Sequence, residues 1–149
     1  MSMRLAVKSD QAALVQCAQQ SYEHYIERIG RKPAPMLMDF EAEISAGKVS
    51  VWETETGVVV AYVVMECSCE AVFLEAMGVL PSHQGQGIGR QLVAWCEQMA
   101  QTTTLRKVCL YTNVKMVENI AMYTKWGYVE VDRRQEDGFE RVYFEKTMP

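Results

Sequence analysis

Three glycines, Gly85, Gly87 and Gly89, fall within five residues between a strand-like segment and an amphipathic one. Upstream, Ala71–Val79 reads as a strand that Pro81 stops. Downstream, Gly87–Gln101 places Ile88, Leu92, Trp95, Cys96 and Met99 on one helical face. Glycines at such a junction admit positive φ and let the backbone approach a ligand closely. The first helical turn that follows leaves N–H groups without intrahelical acceptors. Together these make an anion site suited to phosphates; a plain strand-to-helix turn needs fewer glycines.

Spacing narrows the phosphate ligand. A dinucleotide fingerprint needs glycine at the sixth position from Gly85, and Arg90 stands there. A Walker A loop needs Gly-Lys-Ser/Thr, and Gly47-Lys48 is followed by Val49.

The remaining chain supplies the frame. Arg4–Val7 reads as a strand, and Ser9 or Asp10 as the cap of a helix carrying Leu14, Cys17, Ala18, Ser21 and Tyr25, stopped by Gly30. The loop Arg31–Pro35 leads to a second helix, Met36–Ala46, stopped by Gly47. Strands follow at Lys48–Glu53 and Val58–Glu66, then at Ala71–Val79. After the glycine helix come a strand at Lys107–Thr112, a helix at Met116–Trp126 ending on Gly127, and two strands, Tyr128–Arg134 and Phe139–Lys146, around Asp137-Gly138. The order β-α-α-β-β-β-α-β-α-β-β mixes hairpins with helical crossovers. It predicts an α/β (α+β by some schemes) fold with a mixed sheet and helices on both faces. A length of 149 residues suits one domain spanning 1–149.

Composition excludes several classes. An apolar fraction of 49% is that of a chain with a core. The net charge of −4 argues against a nucleic-acid binder. The longest apolar run, Val58–Met65, is too short for a membrane span. The first ten residues carry charges and lack the apolar core of a secretory signal. With five cysteines and no such signal, a reducing, cytoplasmic setting with free thiols is expected. Cys67-Ser-Cys69 is the one close pair, and His24 and His83 are the only histidines, so no metal site is expected. Cys17, Cys96 and Cys109 read as small core residues.

The segment Gln84-Gly85-Gln86-Gly87-Ile88-Gly89 fits Q/R-x-x-G-x-G/A and follows Met77-Gly78-Val79-Leu80-Pro81. It resembles the acetyl-CoA-binding motif of the GNAT superfamily of N-acetyltransferases. A second block lies about 35 residues further on, in the same order as in that family. Asn119-Ile120-Ala121-Met122-Tyr123-Thr124-Lys125-Trp126-Gly127-Tyr128 is similar to the family's block when aligned on Tyr-x-x-x-Gly-aromatic. The element order also matches from Met3 to Met148. The resemblance implies a mostly antiparallel central sheet of about seven strands, acetyl-CoA as cosubstrate and no metal.

It also implies roles. In the family, the strands on either side of the glycine helix splay, and the pantetheine arm lies between them. Met77, Gly78 and Val79 would offer backbone groups to that arm and to the thioester carbonyl. Gln84, Gly85, Gln86, Gly87, Ile88, Gly89 and Arg90 would hold the pyrophosphate. Gln84 stands where many members have Arg, which leaves more of the holding to backbone N–H groups, with Arg90 restoring some positive charge. Tyr123 would lie by the cofactor sulfur and protonate the departing thiolate, with Asn119 on the same helix face. Each has a plainer reading: Tyr123 as a packing aromatic, Asn119 as a local capping amide. Glu75 shares a strand face with Met77 and Val79 by period-two alternation and is the expected base, with Tyr111 as the runner-up.

An acceptor pocket is expected from Tyr22, Tyr25, Arg31, Met36, Tyr111 and Phe139. Arg133, Arg134 and Arg141 are candidates to receive an acceptor carboxylate or phosphate. The expected partners are acetyl-CoA and a primary amine, most simply a small molecule. The alternatives are a protein amine, a non-catalytic acyl-CoA-sensing module, and a toxin acting on aminoacyl-tRNA, which the −4 charge disfavours. Edge strands leave a homodimer open.

Overall fold

A computed structural model describes residues 2–149. Seven strands form one sheet in the order β1-β2-β3-β4-β5-β7-β6. The strands are β1 (Ser2–Leu5), β2 (Val49–Glu53), β3 (Val59–Cys67), β4 (Ala71–Val79), β5 (Lys107–Asn113), β6 (Val129–Glu136) and β7 (Phe139–Thr147). The helices are α1 (Gln11–Tyr22), α2 (Tyr25–Ile29), α3 (Phe40–Ser45), α4 (Ile88–Ala100) and α5 (Val117–Lys125). This is the mixed sheet that the element order predicts and the mostly antiparallel, seven-stranded one that the resemblance implies. The chain divides into two compact units: Met1–Met65 with Ala76–Trp95, and Glu66–Glu75 with Cys96–Pro149.

In the first unit, β1, β2 and β3 form an antiparallel run. Leu14, Cys17 and Ala18 of α1 and Phe40 of α3 join Val49, Val51, Tyr62, Val64 and Ala76 in one buried cluster. Each fully buried Leu or Val there stabilises the fold by about 1.5–3 kcal/mol.

Three local expectations change. Asp10 occupies the N-cap position of α1 but makes no side-chain cap. Its carboxylate instead accepts from the Val7 N–H at 2.8 Å and from the Arg4 guanidinium at 2.8 and 3.0 Å. The charged fork outcompetes a neutral cap, and Arg4 holds the Asp10 carboxyl below the usual carboxylate range. The first helix breaks at the exposed Glu23 and His24, so that Tyr25 restarts as α2. The second begins as a 3-10 turn at Ala34–Leu37 and restarts at α3, because Asp39 accepts from the Ala42 N–H at 3.2 Å.

In the second unit, a parallel ladder joins Ala71–Leu74 of β4 to Lys107–Leu110 of β5. The paired stretch runs from Ala71–Lys107 to Leu74–Leu110, within strands that extend to Val79 and to Asn113. β5 pairs β7, and β7 pairs β6, both antiparallel. Asp137 and Gly138 both take positive φ, 54° and 81°, the pattern that suits a tight hairpin.

The buried stripe of helix α4 is Ile88, Leu92, Val93, Cys96, Glu97 and Ala100. Trp95 and Met99, expected on that face, are half-buried at its flank. Cys109 is also half-buried rather than core, while Cys17 and Cys96 are buried as expected.

Candidate active site

The glycine segment lies in the first unit and is exposed from Gln84 to Gly87. Gly85 and Gly87 take φ of +79° and +82°, which other residues reach only with strain. A Cβ at Gly85, Gly87 or Gly89 would meet nothing within 4 Å. Helix α4 begins at Ile88, and the Gln91 N–H is bonded to the Gly87 carbonyl at 3.2 Å. The N–H groups of Ile88 and Gly89 therefore precede the first intrahelical bond. Backbone donors beside open space at a helix N-terminus suit a phosphate.

The end of β4 is braced by side chains of the same unit. The Val79 carbonyl accepts from the Ser21 hydroxyl at 2.9 Å and the Gln84 amide at 3.0 Å. The Tyr22 hydroxyl donates to the Met77 carbonyl. Gly78 is glycine for a packing reason: a Cβ there would lie 2.7 Å from Tyr62 Cε1 and 3.1 Å from Ser21 Oγ. Tyr62 is fully buried, so the ring has little room to yield. Gly78→Ala is expected to cost about 1–3 kcal/mol by overpacking, measured by urea unfolding. Unchanged stability would show that Tyr62 relaxes freely.

Tyr123 lies in the second unit on α5 and is 4% exposed. Its ring meets Trp126, Tyr128 and Phe144 at centroid distances of 6.0, 5.9 and 6.2 Å. Asn119 lies one turn earlier, and its amide reaches Met116 Sδ at 3.5 Å. Both residues thus have packing or local roles in addition to any catalytic one.

Glu75 and Tyr111 also lie in the second unit. Glu75 is half-buried, and its charge raises the Tyr111 pKa. Burial is the larger cause of that rise, and Arg141 opposes it. Tyr111 is flanked by Phe73 at 5.8 Å and Tyr143 at 5.6 Å, with the Arg141 guanidinium 4.4 Å over its ring. Phe139 is buried, with Arg141 5.7 Å from its ring. The Tyr143 hydroxyl donates to Glu136.

The hairpin arginines are engaged within the chain. Arg133 pairs with Glu130 at 3.1 Å and Arg134 with Asp132 at 2.7 Å. Arg141 reaches Asp137 at 3.4 Å and Glu136 at 3.7 Å. Of the remaining acceptor candidates, Tyr25 is buried against His24 at 4.0 Å, Met36 is half-buried and Arg31 is exposed.

The acetyltransferase (GNAT) domain family matches residues 45–130, more than half of the chain and inclusive of both sequence blocks. The chain belongs to the GNAT acetyltransferase family. No curated protein matches it. The fold is similar to the ribosomal-protein-S18-alanine N-acetyltransferase from Escherichia coli, with TM-score 0.75 and 16% identity over 99% of this chain and 95% of that one. It is also similar to yncA from Salmonella typhimurium, solved with its cofactor acetyl-CoA, with TM-score 0.70, 20% identity, and coverage of 99% and 93%. A third likeness is an Arabidopsis thaliana protein in complex with the bisubstrate analogue CoA-Ac-MVNAL, with TM-score 0.74, 16% identity, and coverage of 99% and 98%.

Two features of this GNAT domain are absent from the sequence reading. Ser21 reaches the Val79 carbonyl across 58 residues of sequence, a contact no local pattern announces. Glu97, on the apolar stripe of α4, is 8% exposed and bonded to Tyr128 and Lys146. Its signal was present: a carboxylate one position after Cys96 and one turn after Val93. Among the described residues no group of three or more His, Cys, Asp or Glu is placed to hold a metal. No described helix is long and apolar enough to cross a membrane.

Proposed function

We propose that this GNAT domain, acting as one unit over residues 1–149, transfers the acetyl group of acetyl-CoA to a primary amine by direct attack. The observation that carries this reading is the glycine segment. Positive φ at Gly85 and Gly87, open space at all three glycines and a helix N-terminus at the start of α4 fit a pyrophosphate. In this reading Gln84–Arg90 hold the pyrophosphate, and Met77, Gly78 and Val79 offer backbone groups to the pantetheine arm and the thioester carbonyl.

The amine nitrogen bonds to the carbonyl carbon of the thioester, giving a tetrahedral intermediate. The carbon–sulfur bond then breaks, and the sulfur leaves as thiolate. Tyr123 gives that thiolate its proton, and Glu75 receives the proton lost by the amine, directly or through water. Burial raises the Tyr111 pKa further above the ordinary phenol value, so Tyr111 holds its proton at neutral pH and the base role falls to Glu75 in this reading. Asn119 supports α5 beside Tyr123.

The acceptor in this proposal is a small amine that needs no carboxylate of its own, because Arg133, Arg134 and Arg141 already hold carboxylates of the chain. Tyr22, Tyr25, Arg31, Met36, Tyr111 and Phe139 remain its candidate contacts. Two measurements test the reading. Acetyl-CoA should raise the Tm, while NAD and ATP should not. Thiol release from acetyl-CoA should then rise with at least one member of a panel of small amines and peptides. A larger response to NAD than to CoA overturns the assignment. Binding without release on any amine leaves an acyl-CoA-sensing module, and release on peptides alone makes the acceptor a protein amine.

A further inference from the structure

Glu97 is a carboxylate carried on the apolar stripe of α4, where burying a charge costs stability unless it is well paired. It is paired twice on one oxygen: the Tyr128 hydroxyl donates to Oε2 at 2.9 Å, and Lys146 Nζ at 3.3 Å. Lys146 also lies 5.6 Å from the centre of the Tyr128 ring. Tyr128 is 2% exposed and its ring stands edge-on to Tyr123, with an interplanar angle of 69°. The two residues are also joined by the backbone, since the Tyr128 N–H donates to the Tyr123 carbonyl at 3.0 Å. Among the rings that meet Tyr123, that of Phe144 has no polar atom with which to fix its own orientation. Tyr128 has a hydroxyl bonded to a buried carboxylate.

We propose that Glu97 is a positioning residue for Tyr123, acting through Tyr128. Lys146 compensates the charge of Glu97, the Glu97 carboxylate fixes the Tyr128 hydroxyl, and the Tyr128 ring fixes the plane of Tyr123. This rests on the reading in which Tyr123 protonates the thiolate. That role demands a hydroxyl aimed within a narrow tolerance, whereas a residue that only fills space does not.

The test compares Glu97→Gln, Glu97→Leu, Tyr128→Phe, the double variant Glu97→Leu/Tyr128→Phe and Tyr123→Phe in the full chain. Each is assayed for Tm, for the Tyr123 ring signals by NMR, and for kcat and the KM of acetyl-CoA. Turnover is read with the best amine of the panel and, independently of any amine, as hydrolysis of acetyl-CoA to acetate and CoA. Replacing both partners of the Glu97–Tyr128 hydrogen bond by apolar groups is often nearly neutral for stability, and Lys146, whose side chain is 26% exposed, can turn its charge to water. The double variant should therefore melt close to the parent protein. Its kcat should nevertheless fall about tenfold, the scale of a slightly misplaced group, with KM nearly unchanged and the Tyr123 ring signals moved. Glu97→Gln keeps an acceptor for the Tyr128 hydroxyl and should retain most of kcat. Adding Tyr123→Phe to the double variant should cost no more than Tyr123→Phe alone.

A kcat that simply follows Tm across the series, or unmoved Tyr123 signals in the double variant, overturns the positioning role. Full kcat in Tyr123→Phe overturns the acid role instead. The ring signals then still report whether Glu97 orients Tyr123.

Discussion

Tyr123→Phe is expected to lower kcat by about 10²–10⁴, the span usual for loss of a general acid, with the KM of acetyl-CoA moving far less. The substitution removes one oxygen and keeps the ring that packs against Trp126, Tyr128 and Phe144, so Tm should hold. Steady-state kinetics at saturating amine check it. Full kcat would leave water or the outgoing thiolate to manage the proton. Glu75→Gln supplies the contrast on the amine side. Its deficit should shrink at high pH, where more of the acceptor amine is already neutral. A deficit equal at every pH would make Glu75 a structural residue and Tyr111 the next base to test.

Gly89→Val should weaken acetyl-CoA binding at least tenfold while leaving the free protein as stable as before, because an added side chain displaces a phosphate from the N-terminus of α4. Gly89 is the informative glycine. Its φ is not positive, it lies inside α4, and a Cβ there meets nothing within 4 Å. At Gly85 and Gly87 any side chain is strained by the backbone alone, so a loss of binding there would be ambiguous. Calorimetric titration with CoA beside a thermal melt separates the two effects. Unchanged affinity in a folded Gly89→Val protein would move the pyrophosphate elsewhere.

The parts of the fold legible in the sequence were those written in local chemistry. Ala71–Val79 is the strand its alternation announces, with the same two ends. The Asp137-Gly138 turn follows from two residues that tolerate positive φ. The glycine segment runs into the first turn of α4, and the Tyr-x-x-x-Gly-aromatic block runs from the last turn of α5 to the start of β6. What the sequence hid depends on which partner a side chain takes. Arg4 lies only six residues before Asp10, yet no local pattern says that it will take the carboxylate from the helix cap. Nothing near Gly78 says that Tyr62 and Ser21 will fill the space of its missing Cβ. The hairpin arginines are different: their carboxylates stand only two to four residues away, so local spacing already offers them partners within the chain. Glu97 shows itself locally as a carboxylate on an apolar helix stripe, but its partners Tyr128 and Lys146 come only from the fold.

The five cysteines differ sharply in chemistry. Burial pushes the Cys17 thiol up to about 11 and the Cys96 thiol up to about 12. At neutral pH only about one part in 10⁴ or less of either is thiolate, the form that oxidants and electrophiles attack. Cys67 and Cys69 are exposed, on either side of Ser68 in the β3–β4 turn. Oxidation or alkylation of the folded chain therefore begins at one hairpin, and the sulfurs of the core are spared until the protein opens.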